Sequence, residues 1–395
     1  MTLDPDTARA AFDASTDFTV GLEEEFALLD PRDLGLVSRF EELRDAAAID
    51  PVLAESVAGE LISSEIEIRS GPGENLAAAR SAQREYRRRL FALAGEHGIA
   101  LGATGTHPWS DYRKQHIIET EHYRLVEEGL GYVAWRNNTF SLHVHVGVRG
   151  ADRAVLVCDR LRPVLPVLLA ISANSPFLDG RDTRLHSART QTFTRSFPRC
   201  GVPDAFGGFE PFAQYVDLLV RTDSIVEYTQ LWWSIRPHFS FGTVEVRICD
   251  AQSTAAEADG LAALIVACVA QAARDVDAGA PLVNLPGRLI EENVWRAIRY
   301  GLDGELLDFD RGGEPYPAAQ ALERLLAFSA PAREELGIEV ELPALNGAQR
   351  QRRLSATGMD LAEVYAATVA ETLRTYPGAS SGRDPAETSA NASRR

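Results

Sequence analysis

Seven ionisable side chains stand at spacings that suit joint chemistry: Glu23 and Glu25, Glu65 and Glu67, His143 and His145, with Glu245 further on. Members of each pair are two residues apart, so on an extended strand both leave by the same face. Carboxylates gathered without counter-charge raise one another's pKa and weaken a fold, so such a cluster implies cations. Oxygen ligands suit Mg2+, and a histidine nitrogen among them also suits Mn2+. Two or three such ions would clamp phosphates. The H-x-H pair at His143 and His145 is also compatible with a zinc-dependent hydrolase, the lesser reading because no further well-placed histidines follow. Any single glutamate on a wet sheet face needs no function at all.

The elements that must carry these groups show period-two alternation. Thr19 to Leu29 sets Val20, Leu22, Phe26 and Leu28 against Glu23 and Glu25, with Glu24 falling on the apolar side. Leu61 to Arg69 sets Ile62, Ile66 and Ile68 against Ser63, Glu65, Glu67 and Arg69. Phe140 to Val148 places His143 and His145 opposite Leu142, Val144 and Val146, and Gly242 to Ala251 places Glu245 and Arg247 opposite Val244, Val246 and Ile248. One greasy face and one ionisable face are the mark of antiparallel or mixed sheets, because parallel sheets are covered on both sides.

Helical periodicity predicts helices over Glu74 to His97, Ala255 to Asp277 and Leu361 to Tyr376. Ala151 to Ala173 reads as a helix that Pro163 and Pro166 must kink or split. Arg181 to Phe209, rich in Ser, Thr, Arg, Pro and Gly, reads as a long loop. No regular βαβ rhythm is present, so the expected class is α+β, with helices on the apolar face of the sheet and a polar cradle on the other.

Composition removes several function classes. The chain has 395 residues, a net charge of -17 and no basic block, which argues against nucleic-acid or anionic-membrane surfaces. Lys114 is the only lysine, so neither a P-loop nor a Schiff-base lysine motif exists. Phosphate chemistry here must use arginines and metal ions. Cys158, Cys200, Cys249 and Cys268 are widely spaced and suggest neither a disulfide framework nor a cysteine zinc cluster. The N-terminus lacks signal-peptide features and the apolar runs are short for a bilayer crossing; the expected location is cytoplasmic.

The stretches VGLEEEF (Val20 to Phe26), EIEIRSGPGEN (Glu65 to Asn75), TFSLHVHVGV (Thr139 to Val148), SANSPFLDG (Ser172 to Gly180) and WWSIRPHFSFGTVEVRICDA (Trp232 to Ala251) resemble the type 2 glutamate-cysteine ligase family, the carboxylate-amine ligases. The similarity runs in order from about Thr19 to Tyr376. It implies a glutamine-synthetase-like antiparallel cradle and an ATP-dependent ligation, in which glutamate is phosphorylated on its side chain and an amine such as cysteine attacks the acyl phosphate. The resemblance carries metal-binding roles onto Glu23, Glu25, Glu67, His145 and Glu245. It carries phosphate- or substrate-binding roles onto Arg247 and Arg189, and Arg236 is a further candidate.

Glu65 and His143 are left open between ligand, supporting and structural roles. Asn174 is expected to fix a bend, while His107 and Trp135 are weaker pocket candidates. The implied organisation is an extension over 1–18, a catalytic unit over 19–376 and a disordered tail over 377–395. The partners implied are small molecules, with assembly into a homo-oligomer left open. A catalytically silent nucleotide-binding family member is the third reading, beside ligase and hydrolase.

Overall fold

In the computed structural model, which describes residues 5–377, the chemistry-bearing segments enter a single sheet. Its strands are β1 (Val20–Leu29), β2 (Val57–Ala58), β3 (Glu65–Arg69), β4 (Ala100–Gly102), β5 (Ser141–Gly147), β6 (Ile235–His238) and β7 (Thr243–Asp250). The order is β6-β7-β5-β1-β3-β2, with β4 paired to β1, and every pairing is antiparallel. The α+β class with an antiparallel sheet is therefore as expected. Most of the proposed tail lies outside the described residues.

Helices α1 (Pro5–Ala14), α2 (Leu76–Glu96), α3 (Ala151–Leu161), α4 (Leu165–Ser172), α5 (Ala188–Ser196), α6 (Ala255–Asp277) and α7 (Leu361–Thr375) matter most for the site. Leu142, Val144, Val146, Val244 and Val246 share one buried cluster with Val155 and Cys158 of α3 and Leu261 and Ile265 of α6. Burial of each such aliphatic side chain is worth roughly 1.5–3 kcal/mol relative to exposure, so the greasy face is what fixes which face is left for chemistry. A second cluster joins Phe26, Leu28, Ile66 and Ile68 to Leu90 and Phe91 of α2.

The proline break behaves as expected: α3 stops at Leu161, a 3-10 turn covers Arg162–Val164, and α4 starts at Leu165. Helix α6 begins with a capping box in which Thr254 and Glu257 satisfy each other's backbone. It is the one helix among the described residues long and apolar enough to cross a bilayer, and most of it is buried inside the protein. The N-terminal segment is no detached arm, since Ala8 and Phe12 of α1 are buried in the main cluster. Gly242, at φ +62°, turns the chain between β6 and β7 where a Cβ would come within 2.6 Å of the Ala11 carbonyl oxygen.

Glu24, the residue out of phase in β1, has a structural use. Its carboxylate points to the helix side and accepts from Arg87 Nε at 2.7 Å, Arg87 Nη2 at 2.9 Å and Gln83 Nε2 at 2.7 Å. Arg87 also reaches Asp259 of α6 at 2.9 Å. A buried charge is tolerated only with such pairing, and here the pairing ties sheet to helices. The polar residues of α2 are thus not all on its outer side, contrary to a simple amphipathic reading.

The expected loop over Arg181 to Phe209 is a correction. It contains α5, capped by Ser187, whose side chain accepts from Thr190 N. The helix escaped notice because its buried face is Ala188, Arg189 and Thr190, which has no apolar periodicity to detect.

Candidate active site

Strand register brings the ionisable groups together. Glu23 lies opposite His143 on one side and Arg69 on the other; Glu25 lies opposite Glu67; His145 lies opposite Gly21 and Glu245; and Glu245 lies opposite Arg236. Directly opposed residues project from the same face with Cβ atoms about 4.5–5.5 Å apart. Five strands therefore feed one cavity of about 490 Å³, lined among others by Glu23, Glu25, Glu67, His143, His145 and Glu245.

The centre is closely knit. His143 Nδ1 is 3.1 Å from Glu23 and its Nε2 is 2.7 Å from Ser141 Oγ. His145 Nε2 is 3.3 Å from Glu23 and 3.7 Å from Glu245, while its Nδ1 is 3.0 Å from Thr243 Oγ1. Arg236 Nε donates to Glu245 at 2.6 Å, and Arg247 Nη1 donates to the same carboxylate. Burial alone would raise the Glu23 and Glu245 pKa values, but His145 and His143 hold Glu23 well below the usual range, and Arg236, Arg247 and His145 do the same for Glu245. Burial pulls His145 down, yet Glu23 and Glu245 outweigh it and raise it; His143 is lowered by burial and by Arg247.

The β3 side differs. Burial and then Glu25 raise Glu60 to about 8; burial with Glu25 and Glu60 raises Glu65; and burial with Glu23 and Glu60 raises Glu67. Arg69 Nε meets Glu67 at 2.5 Å. Both Glu65 carboxylate oxygens are buried without a hydrogen-bond partner, a costly state. These orphaned oxygens and the all-hard donor set fit divalent cations.

Two groups of ligand atoms are close enough to share an ion: Glu23, His143 and Glu245, and separately Glu25, Glu67 and His143, each set within 4.8 Å of one another. The structure thus gathers all five expected metal-binding residues in the cavity, and places His143 rather than His145 in both groups. Alternation shows that the two histidines share a face, but only register reveals that His143 lies directly opposite Glu23 while His145 also reaches it. Glu60 was not singled out from sequence because it lies before β3 in a segment without alternation.

Other candidates separate clearly. Arg189 lines the cavity, but its Nη atoms donate to the carbonyls of Ile248 and Arg247 at 3.2 and 3.3 Å. Arg236 also donates to the carbonyls of Thr229 and Leu231 at 2.7 and 2.8 Å. Both therefore brace β7 and its surroundings. Asn174 is structural as expected, its Nδ2 serving the Ala103 and Ala251 carbonyls at 3.1 and 2.7 Å. His107 is buried, bonded to the Leu34 carbonyl at 2.7 Å, and Trp135 is an exposed residue bonded to Glu127 at 2.9 Å; neither lines this cavity. His238 lines it beside His145, stacked on Phe241 with ring centres 4.3 Å apart.

The model of glutamate-cysteine ligase family 2 (GCS2) matches residues 19–371. A relative from Rubrobacter xylanophilus, provisionally named glutamate-cysteine ligase 2-3, is 41% identical over 353 residues, covering 87% of this chain and 94% of the relative. One from Solibacter usitatus, provisionally named glutamate-cysteine ligase 2, is 38% identical over 363 residues, covering 90% and 93%.

Among solved structures, glutamate-cysteine ligase from Francisella tularensis in complex with AMP superposes with a TM-score of 0.64 at 11% identity, covering 92% of this chain and 91% of that one. A bifunctional glutathione synthetase from Pasteurella multocida gives a TM-score of 0.61 at 12% identity, covering 93% and 53%. At these identities the likeness is one of fold.

Proposed function

The chain belongs to glutamate-cysteine ligase family 2 and is an ATP-dependent ligase of the carboxylate-amine type, and from that premise we propose that it joins the side-chain carboxylate of glutamate to an amine such as cysteine. The observation that carries this reading is the pair of carboxylate–histidine groups sharing His143. It offers two neighbouring cation positions on a rigid sheet, which is what holding a nucleotide's phosphates requires.

Glu23 and Glu245 would hold one cation and Glu25 and Glu67 another, with the single lone pair of neutral His143 completing one of the two sets and His145 at the edge of the first. Bound Mg2+ or Mn2+ would supply positive charge to the triphosphate and to the oxygens of the phosphoryl group in transit. The rest falls to the chain itself. Arg236 fixes Glu245 by its fork and two backbone carbonyls. Thr243 fixes the orientation of the His145 ring.

Arg247 stands over the centre with its Nε unpartnered, so it keeps donor capacity for phosphoryl oxygens; a guanidinium suits them because its planar fork matches oxygen pairs. In the proposed reaction a carboxylate oxygen of glutamate attacks the terminal phosphorus and ADP leaves. The amine nitrogen then attacks the acyl carbon, inorganic phosphate leaves, and the nitrogen gives up its proton.

The hydrolase reading needs histidines converging on an ion, yet the His145 nitrogens face Thr243, Glu23 and Glu245 instead. The test is an amino-acid and amine panel with ATP and Mg2+, scored by ADP release and by product mass. ADP that appears only with glutamate plus an amine supports the ligase. Tight nucleotide binding with no turnover across the panel supports the silent reading instead.

A further inference from the structure

A glutamate donor carries two carboxylates, and only one of them is consumed by ligation. The other stays an anion inside a cavity crowded with glutamates, so it needs a cationic partner of its own. Lys114, the only lysine, does not line the cavity, and the arginines that do are Arg69, Arg189, Arg236 and Arg247. Arg189 has both Nη atoms on backbone carbonyls and only a buried Nε unpartnered, so it has no free fork to offer, and Arg236 is occupied by Glu245 and the carbonyls of Thr229 and Leu231. Arg247 donates to Glu245 and sits 3.4 Å from His143, in the middle of the groups already assigned to phosphates.

Arg69 is different. It contacts Glu67 through Nε alone; its two Nη groups have no partner among the described residues, and its side chain is 45% exposed at the cavity. It ends β3, three strand positions from β7 in the sheet order, a separation of about 14 Å at ordinary interstrand spacing. That spacing sets the strand carrying Arg69 apart from the strand carrying Arg247, with Arg69 beside Glu67 at the β3 end of the cavity. Its tether to Glu67 also holds the fork in place, which lowers the ordering cost of a two-point contact.

We propose that Arg69 binds the α-carboxylate of the donor amino acid, and so selects dicarboxylic donors over those with a single carboxylate. The proposal rests on the ligase reading above and deepens it. It moves to Arg69 the substrate-carboxylate role that the sequence suggested for Arg189.

The test compares L-glutamate with 4-aminobutyrate, which keeps the reacting carboxylate and lacks the α-carboxylate. In Arg69→Gln the KM for L-glutamate should rise about 10- to 100-fold, the usual worth of charge-assisted hydrogen bonds. The KM for ATP should stay within about twofold, and Arg69→Lys should recover part of the loss. The preference for L-glutamate over 4-aminobutyrate should collapse in Arg69→Gln, because the substitution has nothing to remove from the shorter donor.

Calorimetric titration of L-glutamate in the presence of ADP and Mg2+ gives a readout independent of turnover. Wild-type binding that is lost in Arg69→Gln, without any ADP release from ATP, would keep the proposal and overturn the ligase reading. Turnover with an unchanged L-glutamate KM in Arg69→Gln would overturn the proposal and keep the ligase reading. A rise in the KM for ATP alone would assign Arg69 to phosphate and overturn the proposal, and absence of L-glutamate binding by the wild type would overturn both.

Discussion

The two ends of the cradle use the same residue type and treat it oppositely. Toward β7, Glu23 and Glu245 are surrounded by His143, His145, Arg236 and Arg247, which hold both carboxylates ionised. Toward β3, Glu60, Glu65 and Glu67 face mostly one another, with Arg69 as a contact of Glu67, and burial plus mutual repulsion raises all three. At the first end the chain itself supplies counter-charge to both carboxylates. The second leaves buried carboxyl groups without counter-charge from the chain, a cost that the proposed cations would offset.

The largest effect separating the ends should come from Glu245→Gln. It removes the shared partner of Arg236 and Arg247, so it should lower stability by about 3–5 kcal/mol and ADP release by about 10²–10³-fold. Denaturant unfolding and a coupled ADP assay measure these; unchanged stability would mean that the β7 end is not held by charge pairing.

At the β3 end the sign should reverse. Glu65→Leu removes two orphaned oxygens, and in metal-free protein it should raise stability by about 1–3 kcal/mol while reducing turnover. A loss of metal-free stability would break the contrast.

Mg2+ binding near pH 7 should release protons, because Glu60 is raised to about 8 and an incoming cation favours its ionised form. Calorimetry in buffers of different ionisation enthalpy reports the number released, which should shrink as pH rises past 8. No buffer dependence would place the cations elsewhere.

The smallest effect is on metal-free stability against pH. Buried against Glu25, Glu60 keeps its proton in the folded state up to about 8, and in the unfolded state only to the ordinary 4.5 of a glutamate. Between those values the folded state holds more protons, so this group's contribution makes stability fall as pH rises through the window. Thermal unfolding with chelator across that window should show the fall, and a Glu60→Gln variant should flatten it.

Much of this was legible in the sequence, for identifiable reasons. Alternation over β1, β3, β5 and β7 exposed the wet faces, because one side of each strand had to meet a helical layer. The phase break at Glu24 is visible in the sequence, but its partner Arg87 is not, because the pairing depends on how the helix packs against the sheet. Register is not legible: nothing local says that Glu23 opposes His143, and the resemblance alone carries the ligand role to His145. Arg189 was placed in a loop because its helix buries polar residues, and Glu60 escaped because its segment has no period.

The central claim is that the carboxylates of this cavity act on nucleotide through divalent cations. Titrating a non-hydrolysable ATP analogue into the protein, once with Mg2+ and once with chelator, tests it directly. Affinity should fall by about 10²-fold or more on metal removal. Equal affinity under both conditions would contradict the account.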